Sequence, residues 1–288
     1  MPQSRFSPLW YLLVSNNKNQ HIVPACYLKG FLASTAPSEH VKNKDFELGV
    51  YVSSPDLKSS WQMKGVQNKI FTSSYFYDLS DQTEGRLVVE NFLKEVEQKY
   101  AKALRSFIKN NFLSEIEVDY VCNFMGTMFL RAECSQKSLQ GSIDKLVEYL
   151  RDGMGETRDF KKYADGYKNF SKKSILWSNA GRIMKDFGVH FFINNTEVPF
   201  ITCDNPVIRE EASLKEFEAL MGDNRCCDMT VKNRAQFFYM SIAPNFAIIA
   251  SKFIKKNYDG YPYINVFDIN IPFKFFLLLK EKSKKYLV

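Results

Sequence analysis

From Thr83 to Asn111 the apolar residues Val89, Leu93, Val96, Tyr100, Ala103, Leu104 and Phe107 recur at steps of three and four. An α-helix with one buried stripe repeats at that interval. The stretch therefore predicts a long amphipathic helix and demands a second layer to cover its stripe. More helices are expected behind it. Ser114 is placed as an N-cap with Glu117 three residues on, the capping-box spacing, ahead of Val121, Phe124, Met125, Met128 and Phe129. A third helix is expected over about 136–151 and a fourth over about 167–186, so that a helical subregion covers about 83–186.

After Gly188 the period changes. VHFFINN (189–195) and VPFIT (198–202) read as strands around a turn at Asn194–Asn195, and AQFFYMSIA (235–243) and FAIIAS (246–251) as a second pair around Pro244–Asn245. Asn270 and Pro272 open a closing helix, FKFFLLLKEKSKKYL, with lysines in its last turns. Upstream, residues 1–20 read as an irregular lead-in. Pro24 starts a short helix, FELGVYVSS (46–54) alternates as a strand, and NKIFTSSYFYDL (68–79) reads as loop. Strands and helices are segregated rather than alternating. The expected class is α+β: a short N-terminal β/α segment, a central helical bundle, an antiparallel β-rich third quarter and a C-terminal helix, in a single domain over 21–288.

Composition supports a packed core. Hydrophobic residues make up 45% and charged residues 25%, which is enough apolar surface to offset chain entropy. The 25 Phe and 15 Tyr are expected mainly in that core, with a base-stacking surface as the alternative. Net charge is +7, and the positive charge is concentrated. Residues 151–185 hold nine Lys/Arg against four acids, and 252–288 hold eight Lys against three. Such segments are either solvated helix faces or phosphate-facing surfaces, and Lys172, Lys173, Arg182, Lys255 and Lys256 are the nucleic-acid-binding candidates. The six cysteines form no C-x-x-C, and Cys226–Cys227 are adjacent, a poor geometry for a disulfide. Free thiols in a cytoplasmic protein are expected. PLWYLLV (8–14) is too short to span a bilayer, and no membrane association is expected.

The chain has no P-loop, dinucleotide-binding, G-x-S-x-G or H-E-x-x-H pattern. Its chemistry must come from scattered residues. His21 stands just before a helix start, where it suits a general base or metal ligand, or a histidine tying a loop down. His40 lies in a polar loop and His190 opens a strand. In PFITCDNPVI (199–208), Asp204 and Asn205 occupy a strand-end turn, either as ligands or as an Asx-turn. Glu90 and Glu97 are two helical turns apart on one face, with Lys94 between them, which is a carboxylate pair or a solvated ion-paired face. Arg131 ends an apolar helix, placed to clamp an anion or to cap its own helix. Cys26 and Cys203 are the candidate thiol nucleophiles.

Taken in order, His-x-Val-Pro-x-x-Tyr-Leu-Lys-x-Phe at 21–31, SSYFYDL, the helix bearing Glu90 and Glu97, FMGTMFLRA, PFITCDNPV and FFYMSIAPNFAIIAS resemble the motifs of an uncharacterised, mostly bacterial family, domain of unknown function 4238. Ile22 stands where that family has Tyr, and Cys203 where it has Ser. The resemblance covers about 20–285 and supplies no catalytic assignment. It implies that His21, Asp204 and Asn205 belong to one site. By association it also implies a role in bacterial defence or as a toxin.

The function expected from these residues is a metal-assisted phosphodiesterase, nuclease-like, acting on nucleic acid. His21 activates water or binds metal, Asp204 with Glu90 or Glu97 holds Mg²⁺ or Mn²⁺, and Arg131 offsets phosphate charge. The alternative is a non-catalytic module that binds nucleic acid or protein. In that reading His21 and the Asp-Asn-Pro turn brace the N-terminal segment against the β region.

Overall fold

The computed structural model describes residues 19–32, 49–79, 88–110, 112–155, 157–167, 170–176, 187–221, 234–252, 254 and 263–288. The architecture is α+β, with a mixed sheet between helical layers. Strand β1 (Asn19–His21) leads into helix α1 (Ala25–Leu28) and a 3₁₀ turn at Lys29–Phe31. Strands β2 (Val50–Val52) and β3 (Gln62–Lys64) form a hairpin, and β4 (Thr72–Ser74) returns to pair with β1, setting His21 opposite Thr72. Where a loop was expected over 68–79, the chain makes a 3₁₀ turn and then β4. The Asn68 side chain accepts from the Ile70 N–H and caps that turn.

Helix α2 (Val88–Asn110) buries all seven residues of the predicted stripe. Helix α3 (Glu115–Arg131) packs against it, and the capping box forms: the Ser114 N–H and Oγ both donate to Glu117 Oε2, at 2.9 and 2.7 Å. Those bonds hold the Glu117 carboxyl below its usual range. Helices α4 (Glu133–Met154), α5 (Arg158–Tyr167) and α6 (Phe170–Ser174) follow. Of the single helix expected over 167–186, the described residues hold only the short α6, with α5 ending at Tyr167 ahead of it, and 177–186 lie outside the described residues.

The sheet is built from β5 (Gly188–Asn194), β6 (Val207–Ser213), β7 (Arg234–Ala243), β8 (Phe246–Ser251) and β9 (Tyr263–Val266), in the order β6-β7-β8-β5-β9. Helix α7 (Leu214–Met221) continues from β6. All pairings are antiparallel except β5–β9. The β7–β8 hairpin forms as predicted. VPFIT does not pair with β5, whose neighbours are β8 and β9. β6 and β9 escaped the sequence reading because charged or turn-forming residues dilute their alternation.

Alternation in the central strands sorts side chains to two faces. Phe191, Phe238, Met240, Phe246 and Ile248 join the core with α2 and α3. Phe192, Phe237, Tyr239, Ala247 and Ile249 face helix α8 (Asn270–Lys282) on the other side. Ring stacks tie the layers: Phe107 on Phe246 at 3.5 Å, and Tyr239 on Phe275 at 3.6 Å. Much of the aromatic content is therefore core.

Two features fix the periphery. At Gly30 an added Cβ would lie 2.3 Å from the Ile242 carbonyl oxygen, so only glycine lets this turn sit against β7. At the other end, α8 stops at Lys282 and does not run on to Leu287. Ser283 turns extended, and the tail 284–288 threads between two segments. Ser53 and Leu287 exchange backbone bonds on one side (3.1 and 2.9 Å), and Thr202 and Val288 on the other (2.7 and 2.7 Å).

Candidate functional site

The helix-ending arginine organises the site. Arg131 is 2% exposed. Its Nε donates to the Tyr77 hydroxyl at 2.9 Å, its Nη1 to Glu97 Oε1 at 2.7 Å and its Nη2 to the His21 carbonyl at 2.5 Å. Burial alone would lower the Arg131 pKa, but the Tyr77 oxygen and the Glu97 carboxylate outweigh it and the net shift is upward. The anion this arginine clamps is internal. It neither caps its own helix nor presents its guanidinium to solvent.

Around this clamp lies a cavity of about 110 Å³ lined by Gln20, His21, Tyr77, Glu90, Leu93, Lys94, Glu97 and Arg131. It is small and partly open to solvent, with room for several waters. Glu90 is held from two sides, by Gln20 Nε2 at 3.0 Å and Lys94 Nζ at 3.5 Å. Gln20 also donates to Asp78 at 2.6 Å and accepts from the Tyr77 N–H at 2.6 Å, which fixes the Tyr77 segment. Among the described residues Lys94 pairs with Glu90, while Glu97 turns to Arg131.

The His21 ring is gripped at both nitrogens. Nδ1 lies 3.3 Å from the Val23 carbonyl and Nε2 2.9 Å from the Gln67 side-chain oxygen. Both ring nitrogens thus face oxygen atoms, and these two contacts fix the plane of the ring.

Asp204 and Asn205 lie elsewhere. Asp204 Oδ1 accepts from Ser283 Oγ at 2.8 Å and from the Lys284 N–H at 3.1 Å. Its partners lie about eighty residues downstream, so Asp204 pins the tail. Asp204 and Asn205 line a separate cavity of about 320 Å³ with Glu133, Cys134, Lys137, Lys284 and Lys285. The two sharpest motifs do meet, but through other residues. The buried Tyr27 hydroxyl lies 2.8 Å from Thr202 Oγ1 and donates to the Ser241 carbonyl at 2.6 Å. That contact is dry, and His21 and Asp204 diverge from it into different cavities.

The metal-ligand set drawn from Asp204, Glu90 and Glu97 is therefore not assembled. Among the described residues no group of three or more His, Cys, Asp or Glu is arranged to hold a metal ion. The thiols are also poor nucleophiles. Burial, then the nearby Glu97 charge, pushes Cys26 up to about 12, and burial pushes Cys203 well above its ordinary value. His190 is fully buried with neither ring nitrogen partnered.

Of the basic candidates, Lys172 donates its ammonium to the Asp78 carbonyl at 2.6 Å, and burial lowers its pKa. It braces the Tyr77 segment. Lys173 follows it on α6, while Arg182, Lys255 and Lys256, with His40, Cys226 and Cys227, lie outside the described residues. The sequence reading missed a groove of about 500 Å³ lined by Ser60, Gln62, Lys64, Lys69, Thr72 and Lys285, among others. Its lysines come from distant positions, so no charge run betrays them.

The fold and site define a mixed α+β protein with a buried arginine clamp behind a small polar cavity. The chain belongs to the family described as Protein of unknown function (DUF4238), which it matches over residues 19–270. No curated protein and no solved structure matches it. No described helix is long and apolar enough to cross a membrane.

Proposed function

We propose that this chain is a phosphodiester-cleaving enzyme acting on nucleic acid in the cytoplasm, with its reacting centre in the His21 cavity. The observation that supports this reading is convergence. His21 from β1, Glu90 and Glu97 from α2 and Arg131 from α3 come from three separate elements and line one small cavity. Imidazole is the side chain suited to general acid–base work, and Gln67, 2.9 Å from Nε2, holds the His21 ring in place. Lys94, with its side chain 54% exposed, offsets charge on the scissile phosphate. Arg131, Glu97 and Gln20 are positioning residues, because their polar atoms are taken up within the protein. Asp204 has no part in this scheme, and no step is routed through a metal.

A second reading is favoured by that same saturation: the clamp braces the N-terminal segment and the protein binds without turnover. His21→Ala separates the two, because Arg131 holds the His21 main-chain carbonyl and that bond survives the substitution. RNA and DNA are incubated with the protein in Mg²⁺, in Mn²⁺ and in EDTA. The enzyme reading expects cleavage that falls by about 10²–10⁴-fold in His21→Ala at unchanged melting temperature. Salt-dependent binding with no turnover in any buffer supports the module instead. A defence or toxin role is tested by induced expression in bacteria, where growth arrest by the wild type and not by His21→Ala is expected.

A further inference from the structure

We propose that the groove between the β2–β3 hairpin and the C-terminal tail binds the sugar–phosphate backbone of a single nucleic-acid strand and leads it past His21. The inference rests on the enzyme reading for what happens to the strand, but binding is tested apart from cleavage.

The groove carries uncompensated positive charge. The groove is lined by Lys64, Lys69 and Lys285 and by no Asp or Glu. Lys285 is paired with Glu133. Lys64 and Lys69 form no ion pair among the described residues. In the hairpin register Val50 stands opposite Lys64 and Val52 opposite Gln62, so Gln62 and Lys64 project to one face, the groove side. Tyr51 and Trp61, exposed on the same hairpin, belong to the opposite alternation. The groove therefore offers ammonium, hydroxyl and amide groups and no exposed ring. That is the chemistry of phosphate and sugar contacts rather than of base readout.

Lysine Nζ groups in a concave cleft suit one flexible strand. Without base readout the contacts run along one backbone, which a flexible strand can follow along the cleft more closely than a stiff duplex can. The groove continues beyond the tail, because Lys285 also lines the Asp204 cavity, where Lys137 and Lys284 add positive charge. There both acids are engaged, Glu133 by Lys137 and Lys285 and Asp204 by the tail. At its other end the groove borders the strand that pairs with β1. Thr72 lines it and pairs with His21 across β1–β4. Gln67, which holds the His21 ring, lies between Lys64 and Lys69 in the chain.

The test uses the full chain and fluorescently labelled 12-nucleotide oligo(dT) and oligo(U), with a duplex of equal length, read by anisotropy between 50 and 200 mM salt. The wild type is expected to bind the single strands more tightly than the duplex. Lys64→Glu/Lys69→Glu is expected to weaken that binding at least tenfold and to reduce the salt slope by about 2. The control Lys102→Glu/Lys109→Glu changes net charge equally on exposed α2 positions outside the groove and is expected to bind within about threefold of wild type. Equal losses in both double variants, or equal affinity for duplex, overturn the groove. Cleavage that persists in Lys64→Glu/Lys69→Glu with unchanged KM overturns the groove and leaves the enzyme reading standing. Tight groove-dependent binding with cleavage unaffected by His21→Ala does the reverse. No binding to any oligonucleotide overturns both.

Discussion

The Arg131 guanidinium holds the main-chain carbonyl of His21 at 2.5 Å, across 110 positions of sequence. Through this bond the end of α3 sets where β1 lies, and the same fork fixes Glu97 on α2 and Tyr77.

Breaking this clamp is expected to be costly. Arg131→Met keeps bulk in the site but removes three bonds and leaves Glu97 unpaired. Breaking a buried pair from one side costs about 3–5 kcal/mol. The Glu97 side chain is 26% exposed, which places the expectation near the lower end. Arg131→Lys should recover only part of the loss, since one ammonium cannot reproduce a planar fork. Urea denaturation checks both, and a loss below about 1 kcal/mol for Arg131→Met contradicts the clamp.

His190 predicts an acid-sensitive core. Burial without a partner lowers its pKa from the ordinary 6.5 to about 4. The unfolded chain therefore takes up the proton before the folded one does. This contribution is constant above about pH 6.5, destabilises progressively as pH falls toward 4, and levels off below. The gap is worth about 3 kcal/mol. His190→Leu should flatten the decline in urea midpoint between pH 7 and pH 4.5. A decline as steep as the wild type's removes His190 from the explanation.

Tyr100 lies flat on Phe124, with ring centroids 3.7 Å apart, yet its buried hydroxyl has no partner. Tyr100→Phe keeps the stack and deletes the orphan oxygen. A gain of about 1 kcal/mol is expected, seen as a melting temperature roughly 2–3 °C higher. A lower melting temperature argues that the hydroxyl is satisfied in solution.

Asp204→Ala separates anchoring from chemistry. Loss of the Ser283 and Lys284 bonds should cost about 1–3 kcal/mol and loosen the groove wall that carries Lys285, raising KM while kcat stays unchanged. Collapse of turnover at full folding would return Asp204 to the reacting centre.

Much of the fold was legible because periodicity is local. The α2 stripe, the Ser114 capping box and the β7–β8 hairpin each declare themselves within a few residues. The site was legible in part. His21, Glu90, Glu97 and Arg131 stood out by residue type, but their joint placement depends on how α2, α3 and β1 pack. The expected union of His21 with Asp204 failed because motif proximity was read as site proximity, whereas Tyr27 and Thr202 make the actual contact. Charge counting along the chain favoured 151–185 and 252–288. It passed over Lys64 and Lys69, which gain meaning only when the tail brings Lys285 beside them.

The tail that threads between Ser53 and Thr202 also bears on how the protein comes into being. On the ribosome, residues 284–288 emerge more than two hundred positions after the hairpin they close against. Until then a nascent chain has one wall of the lysine groove missing and the β2–β3 ribbon unsupported on that side. The β2–β3 ribbon therefore gains its support on that side only through a contact that spans most of the sequence.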